Sequence, residues 1–543
     1  MKNLCKKWLL TWAGPGKQAS VFYARYFGLI IPFLVLTFAY SYGQSTQITG
    51  FIYSDVNENG SYDASETPLE GILVSNGKDI VASGVKGRYK IKATHGQTIF
   101  VIKPAGFALP TDEYGIPKAY FHYYPRGTIS TQYTGLSTTN DVPSRVDFGL
   151  LPSTEPDTFK VAMLGDLQMR IQEEINYTNR LLTPELYKRD DLSMAILLGD
   201  IADDELGILN GTLQITKHFK MVSYPVFGNH DRNLEQPWQH NFTSTFKSVF
   251  GPDYYAANYG KVHFIMLNDV LPNANGYSGE ITQDQLTFIK NDLKHVPKDH
   301  LVVFTQHIPL YTLKNKEALL ELIADRDHVL AVSGHRHILE QEFIPYAKNK
   351  ELHEVVAGAV CGLWWDGERD WKGIPVAVMG GGAPKGYYVF TFTGNQYQMT
   401  YKALELPPEK QVNIWAWQPD RGDPGMQLPA GFQGNEILAN VFAGSVKTAV
   451  SLRIDDGEWQ PMKKVAVQDP YITRILFYEK EGIYPTAGQI KSGLKKEPSG
   501  HIWLGYYPRD LEKGSHKVEV KATDPYGLNA YEVSFFILGR FDE

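Results

Sequence analysis

Between Phe159 and His337 the chain carries five short polar clusters. They are Gly165-Asp166-Leu167-Gln168, Gly199-Asp200-Ile201-Ala202-Asp203, Gly228-Asn229-His230-Asp231, Gln306-His307 and Gly334-His335-Arg336-His337. Asp166, Gln168, Asp200, Asn229, His307, His335 and His337 offer carboxylate, amide and imidazole donors, with no thiolate among them. Such a set suits borderline cations such as Mn, Fe or Zn better than calcium. Two ions about 3.5–4 Å apart need a bridging carboxylate, and an Asp between the two groups would serve. A single Gly-Asp or His-x-His says little, because each is common in ordinary loops. Their succession, each after an apolar run, says much more.

Those runs are VAML, MAILL, YPVF, LVVFT and HVLAV. Stretches of four to six apolar residues bounded by glycine and turn residues read as strands buried on both faces, as in a parallel sheet covered by helices. Loops leaving the carboxyl ends of such strands open on one edge, where ligands sit in open α/β sheets. Donors far apart in sequence can therefore meet in one pocket.

The order D-x-[HQ], GD, GNH, H, GHxH, over roughly residues 159 to 400, resembles that of the calcineurin-like metallophosphoesterases. The resemblance implies an α/β fold, a central two-sheet αββα sandwich flanked by two all-β sandwich domains. It also implies a ligand scheme: Asp166, Gln168, Asp200 and His337 around one metal, and Asp200, Asn229, His307 and His335 around the other. Asp200 would bridge the pair, His230 would act as general acid or transition-state donor, and Asp203 would orient His230. The family often has His where this chain has Gln168. An amide oxygen is the weaker ligand for a transition metal, so the first site is expected to bind more loosely or to favour Mn. The expected reaction is attack on a phosphate ester by a hydroxide bridging the two ions, with His230 assisting the leaving group. Arg232 and Arg336 are positioned in sequence to clamp phosphate. Trp364 and Trp365, in a Gly-rich loop, are expected at the substrate cleft. The competing expectation is a surface or periplasmic binding protein whose metal domain is inactive.

The rest of the chain frames that centre. Its 543 residues should hold about three or four domains. A net charge of −7 and the absence of a basic stripe speak against general nucleic-acid binding. The triple glycine at 380–382 does not follow the nucleotide P-loop spacing. Lys2, Lys6, Lys7, Lys17 and Arg25 precede an apolar run, Tyr26 to Tyr40, and then Ser41 and Gly43. Residues 1–43 thus read as a signal peptide for secretion or the periplasm, with an uncleaved anchor as the alternative and no further transmembrane segment. Cys5 and Cys361 are the two cysteines, so no internal disulfide survives signal cleavage, and Cys361 is expected to be buried.

Alternating runs place an N-terminal β-sandwich at 46–150, the catalytic domain at 151–402 and a C-terminal β-sandwich at 405–543. The first and last also resemble the accessory domains of the same phosphoesterases. Within the first, Asp55, Asn57, Asn59, Ser61, Asp63 and Glu66 follow the twelve-residue calcium-loop spacing, with Gly60 at the sixth position. No helix pattern flanks the loop, so one structural Ca is expected there. Trp415, Trp417, Trp459 and Trp503 are expected to pack mainly into the C-terminal core. The substrate would be a phosphorylated small molecule, nucleotide, lipid or glycan.

Overall fold

The computed structural model describes residues 45–128, 132–139, 142–235, 241–416 and 431–539. The expected signal peptide and Trp417 lie outside the described residues. Gln47–Glu543 form one compact unit.

The catalytic region is built on two sheets. The first has strand order Val222–Pro225, Leu192–Leu197, Thr158–Leu164, Gly386–Thr393, Gln396–Ala403. The second runs Tyr255–Tyr259, Val262–Met266, Leu301–Thr305, Val329–Ser333, Lys350–Ala357, Leu339–Ala347. The first sheet is parallel over its first three strands and antiparallel over the rest, and the second is parallel at its centre and antiparallel at both edges. The two-sheet sandwich that the resemblance implies is thus present, whereas the apolar runs by themselves suggested a parallel sheet covered by helices. A strand between a helix layer and a second sheet is buried on both faces just as one between two helix layers is, so the apolar runs look alike.

The alternation inside Thr158–Leu164 shows how the layers divide. Val161 and Met163 join the core between the sheets, with Met194, Ile196, Phe264, Val303, Val332 and Phe390. Ala162 and Leu164 face the other way, into a core shared with Leu181, Leu182 and Leu186 of the helix Gln172–Tyr187. The second sheet sends Val302 and Phe304 to the helix-facing core, with Phe288 and Ile289 of the helix Gln283–Asp292. Successive side chains on a strand take opposite faces, which yields helix, sheet, sheet, helix.

Two further all-β regions flank this sandwich. The N-terminal one packs two sheets around Ile52, Val74, Tyr89, Ile99 and Phe148. It meets the catalytic region through a buried Lys103–Glu155 pair at 2.5 Å and through buried Lys247, which donates to the Tyr124 hydroxyl at 3.4 Å while pairing with Asp253 at 2.9 Å. The C-terminal one packs two four-stranded sheets around Val412, Val441, Leu452, Trp503 and Val520. Of the expected core tryptophans, Trp503 is in that core, whereas Trp459 lies half-buried beneath Arg453 and Lys521. Phe442 and Ala443 reach into the core between the catalytic sheets, so the C-terminal region is docked into the catalytic one. Asp469 caps the helix Pro470–Lys480 by accepting from Tyr471 N and Ile472 N, with Pro470 in its first turn.

Candidate metal centre

The polar clusters follow the carboxyl ends of parallel strands from both sheets. Asp166, Gln168, Asp200 and Asn229 lie on loops of the first sheet, and His307, His335 and His337 on loops of the second. The oxygen donors thus come from one sheet and the imidazoles from the other, meeting where the two edges adjoin.

Contacts among these side chains are close. His307 Nε2 lies 3.1 Å from Asp200 Oδ2, 3.0 Å from Asn229 Oδ1 and 3.2 Å from His335 Nδ1. Asp200, His307 and His335 offer ligand atoms all within 4.8 Å of one another. Beside them, His337 Nε2 is 2.8 Å from Gln168 Oε1 and 3.5 Å from Asp166 Oδ1. All seven residues expected as ligands are thus gathered in two adjoining groups.

Backbone carbonyls set the histidine orientations. His307 Nδ1 lies 2.9 Å from Leu198 O, and His337 Nδ1 lies 2.8 Å from Gly362 O. With each Nδ1 held against a carbonyl, both Nε2 atoms face inward, where a bound metal would take the place of any proton on them. The residues present therefore fit the group. Three of the loops also adopt a conformation that non-glycine residues avoid. Asp166, Gln168, Asp200, His335 and His337 have φ of 26°, 46°, 45°, 73° and 49°. Such φ values are uncommon outside glycine and cluster where function requires them. Glycine makes the approach possible: a Cβ on Gly228 would lie 2.0 Å from Asp200 N, and one on Gly199 (φ 86°) 2.6 Å from His307 Nδ1.

Charge in the centre is unevenly held. Burial works against charging His307, but Asp200 and then Asp166 and Asp269 lift its pKa to about 10. Burial, and the positive His307 beside it, hold His335 down at about 4. Two imidazoles 3.2 Å apart thus divide into one charged and one neutral ring. Burial would raise Asp200, yet His307 and His230 hold it well below the usual carboxylate range.

His230 stands at the rim. Its Nδ1 is 2.9 Å from Asp204 Oδ1 and 3.2 Å from Asp203 Oδ1, and its backbone N–H donates to Asp200. Burial opposes its charge, but Asp204, Asp200 and Asp203 raise its pKa to about 9. The expectation that Asp203 orients His230 is amended: Asp204 makes the shorter contact, and the ring sits between both carboxylates. Asp203 also accepts from Gln168 Nε2 at 3.2 Å and lies 3.8 Å from Arg170 Nε. Gln168 therefore touches the ligand group through its oxygen and the His230 clamp through its nitrogen.

Several groups escaped the sequence reading. Asp231, fully buried, accepts from the backbone of Gly228 and Ala202 and ties two ligand loops together. Its position next to His230 was the available signal. Asp269 accepts from Ile308 N, fixing the loop after His307. Tyr277 lies 6.3 Å from the His335 ring, on a hairpin whose sequence carries no sign of a site.

The expected substrate residues separate. Trp364 lines the cavity, its ring 5.1 Å from His337 and 6.4 Å from His230. Trp365 does not, and this is a correction: it is 4% exposed and donates to Leu167 O, so it packs behind the loop. Arg232 is corrected as well. Its guanidinium donates to Asn229 O and Gly276 O and stacks on Tyr277, holding the hairpin in place. Arg336 does line the cavity. Cys361 is fully buried, its Sγ 3.6 Å from His337 Nδ1.

In the N-terminal loop, Asp55 accepts from Asn59 N and Gly60 N, and Glu66 accepts from Val56 N and Asp63 N. Asp63 accepts from the amides of Asn57 and Asn59. Ser61 donates its backbone N–H to Asn59, so all six expected residues belong to one turn.

Three family profiles match the chain. The one described as calcineurin-like phosphoesterase covers residues 159–339, its N-terminal counterpart 56–135 and its C-terminal counterpart 354–530. Compared with curated proteins, the sequence matches none. Among solved structures, a dimetal phosphatase from Danio rerio is 13% identical, with TM-score 0.34 over 45% of this chain and 96% of that one. The purple acid phosphatase PPD1 from yellow lupin (Lupinus luteus) seeds is also 13% identical, with TM-score 0.34 over 63% and 68%. PhoD is 10% identical, with TM-score 0.35 over 80% of this chain and 97% of that one.

Proposed function

Because the chain belongs to the calcineurin-like phosphoesterase family, whose members are metal-dependent phosphoester hydrolases, we propose that it is an exported enzyme cleaving phosphate esters at two divalent transition-metal ions. One observation supports this above others: oxygen donors from one sheet and three inward-facing imidazoles from the other meet in two adjoining groups. Asp166, Gln168, Asp200 and His337 would hold one ion, and Asp200, Asn229, His307 and His335 the other. Such ions would offset the negative charge of the ester and lower the pKa of water toward about 7.

The remaining chemistry belongs to the side chains. His230, charged at neutral pH between Asp203 and Asp204, donates a proton or hydrogen bond to the departing oxygen. Its clamp keeps Nδ1 occupied and leaves Nε2 for the substrate. Trp364 closes one side of the site above His337. No covalent enzyme intermediate is needed. The neutral amide of Gln168 favours Mn over Fe or Zn in the first position. Export rests on residues 1–43, and sequencing the mature N-terminus tests it. The Asp55–Glu66 turn is read as a structural calcium site.

Metal analysis of the purified protein, with a p-nitrophenyl phosphate assay on the same sample, tests the hydrolase. About two transition-metal ions per chain and metal-dependent turnover are expected. A metal-free, inactive protein that still binds phosphate would support a binding protein instead.

A further inference from the structure

A cavity of about 760 Å³ begins at Gln168, Asp200, His230 and His335 and continues past the ligands to a far wall made by the C-terminal region. Lys464, Lys495, Glu497 and His501 stand on that wall, and Glu340 and Glu342 lie along the floor. Pockets of about 300–1,000 Å³ enclose ligands far larger than inorganic phosphate. The wall is firmly seated: Gly381 O accepts from Asn440 Nδ2 at 3.0 Å and from Ser499 Oγ at 2.8 Å. A Cβ on Gly382 would lie 2.4 Å from Asp469. The space is thus preformed by the fold.

Two of its groups are conspicuous. Lys464 and Glu342 are both half-buried, and among the described residues neither side chain has a hydrogen bond or ion pair. Lys464 instead stands over the Trp503 ring, 5.2 Å from its centroid. Burial lowers the pKa of Lys464 and raises that of Glu342, and the attraction between the two opposite charges offsets this only in part. On the same wall, buried His501 Nδ1 has no partner. Polar groups on a preformed surface that no protein group meets are free to exchange water for the polar atoms of a ligand.

The signs of these charges choose among ligands. Arg336, Lys464 and Lys495 face Glu340, Glu342 and Glu497, so the formal charges cancel. A second phosphate would meet Lys464 but bring like charge against Glu342 and Glu340. An amine would meet Glu342 but oppose Lys464. A hydroxyl accepts and donates at once, so neighbouring hydroxyls satisfy both groups together. The aromatic rings, Trp364 and Tyr277, lie beside the metal ligands, where the first carbons of the leaving group would pass, and none of the far-wall groups named here offers a base-stacking platform.

We propose that the C-terminal region completes the substrate cavity, and that the enzyme's substrates are monophosphate esters of sugars or related polyols, with Lys464 and Glu342 gripping hydroxyls of the leaving group. This deepens the phosphoesterase assignment and rests on it.

The test compares kcat/KM of the metal-loaded enzyme for glucose 6-phosphate, fructose 1,6-bisphosphate, phosphoethanolamine, adenosine 5′-monophosphate and p-nitrophenyl phosphate. Lys464→Met and Glu342→Gln are assayed beside the wild type, and thermal unfolding verifies their fold. Glucose 6-phosphate is expected to exceed the other three biological esters about tenfold. Each variant should raise its KM about tenfold, with kcat and p-nitrophenyl phosphate turnover unchanged. Preference for the bisphosphate, the amine or the nucleotide would overturn the proposal, as would variants that leave glucose 6-phosphate untouched or impair p-nitrophenyl phosphate equally. Absence of p-nitrophenyl phosphate turnover would strike the phosphoesterase assignment instead. Calorimetric titration of glucose 6-phosphate into wild type and Lys464→Met decides the grip without turnover, and equal affinity would refute it.

Discussion

Asp200 joins the ligand group to the rim: its carboxylate reaches His307 at 3.1 Å and accepts from the backbone of His230 at 2.8 Å. Asp200→Asn and His335→Ala should each lower kcat/KM for p-nitrophenyl phosphate by at least about a thousandfold, or about 4 kcal/mol. Circular dichroism should show the fold retained, and full turnover in either variant would refute the centre. His230 offers a second test. Its raised pKa means the folded state favours its charged form, so its stabilising contribution is complete below the unfolded value of about 6.5. That contribution is lost as pH rises through about 9. NMR titration of the metal-free protein should show its ring titrating near 9, and Asp204→Asn should bring it down more than Asp203→Asn. An unshifted ring in wild type would dismantle the clamp. Asp203 was legible because it lies at a motif position, whereas Asp204 was not, because nothing in the sequence says which of two adjacent carboxylates turns toward the ring. Trp364 and Trp365 posed the same problem, and the hydrogen bond from Trp365 to Leu167 O, invisible in sequence, resolves it.

The loops, more than the strands, bear the geometric demands. Gly228 is required because its missing side chain leaves room for Asp200. Gly228→Ala, although conservative, should displace Asp200, lower metal content by elemental analysis and cost about 1–3 kcal/mol. Retention of two metals at wild-type stability would contradict that. The Asp55–Glu66 turn makes a separate demand. Calcium added to chelator-treated protein should raise the melting temperature by several degrees, and Glu66→Gln should abolish the rise. An equal rise in both would assign the effect to another site. At this scale the strands were readable from apolar runs, and the clusters from their place after each run. The pairing of sheet with sheet came from the family resemblance and not from the runs themselves, since Val161 and Ala162 are equally apolar yet face different layers. Tyr277 was hidden for another reason: its hairpin is held to the centre by Arg232, which bridges Gly276 O and Asn229 O.

Across the whole molecule, all three β-rich regions are tied into one body by buried contacts: Lys103 with Glu155, Lys247 with Tyr124, and Phe442 within the inter-sheet core. Their existence could be read from alternating hydrophobicity. That the last one walls the substrate cavity could not, because Lys464 and His337 are brought together by docking rather than by any local pattern. Since one sheet supplies the oxygens and the other the imidazoles, the layer of side chains between them acts as a spacer in a pair of calipers. Widening it should spoil the grip on both ions while leaving every ligand in place. Val303→Phe, buried between the sheets and belonging to none of the ligand clusters, should therefore weaken metal binding measured by competitive chelation. A same-sized enlargement on the helix side, Val302→Phe, should cost stability but spare affinity. Equal loss from both would mean that the jaws are set by the loops alone.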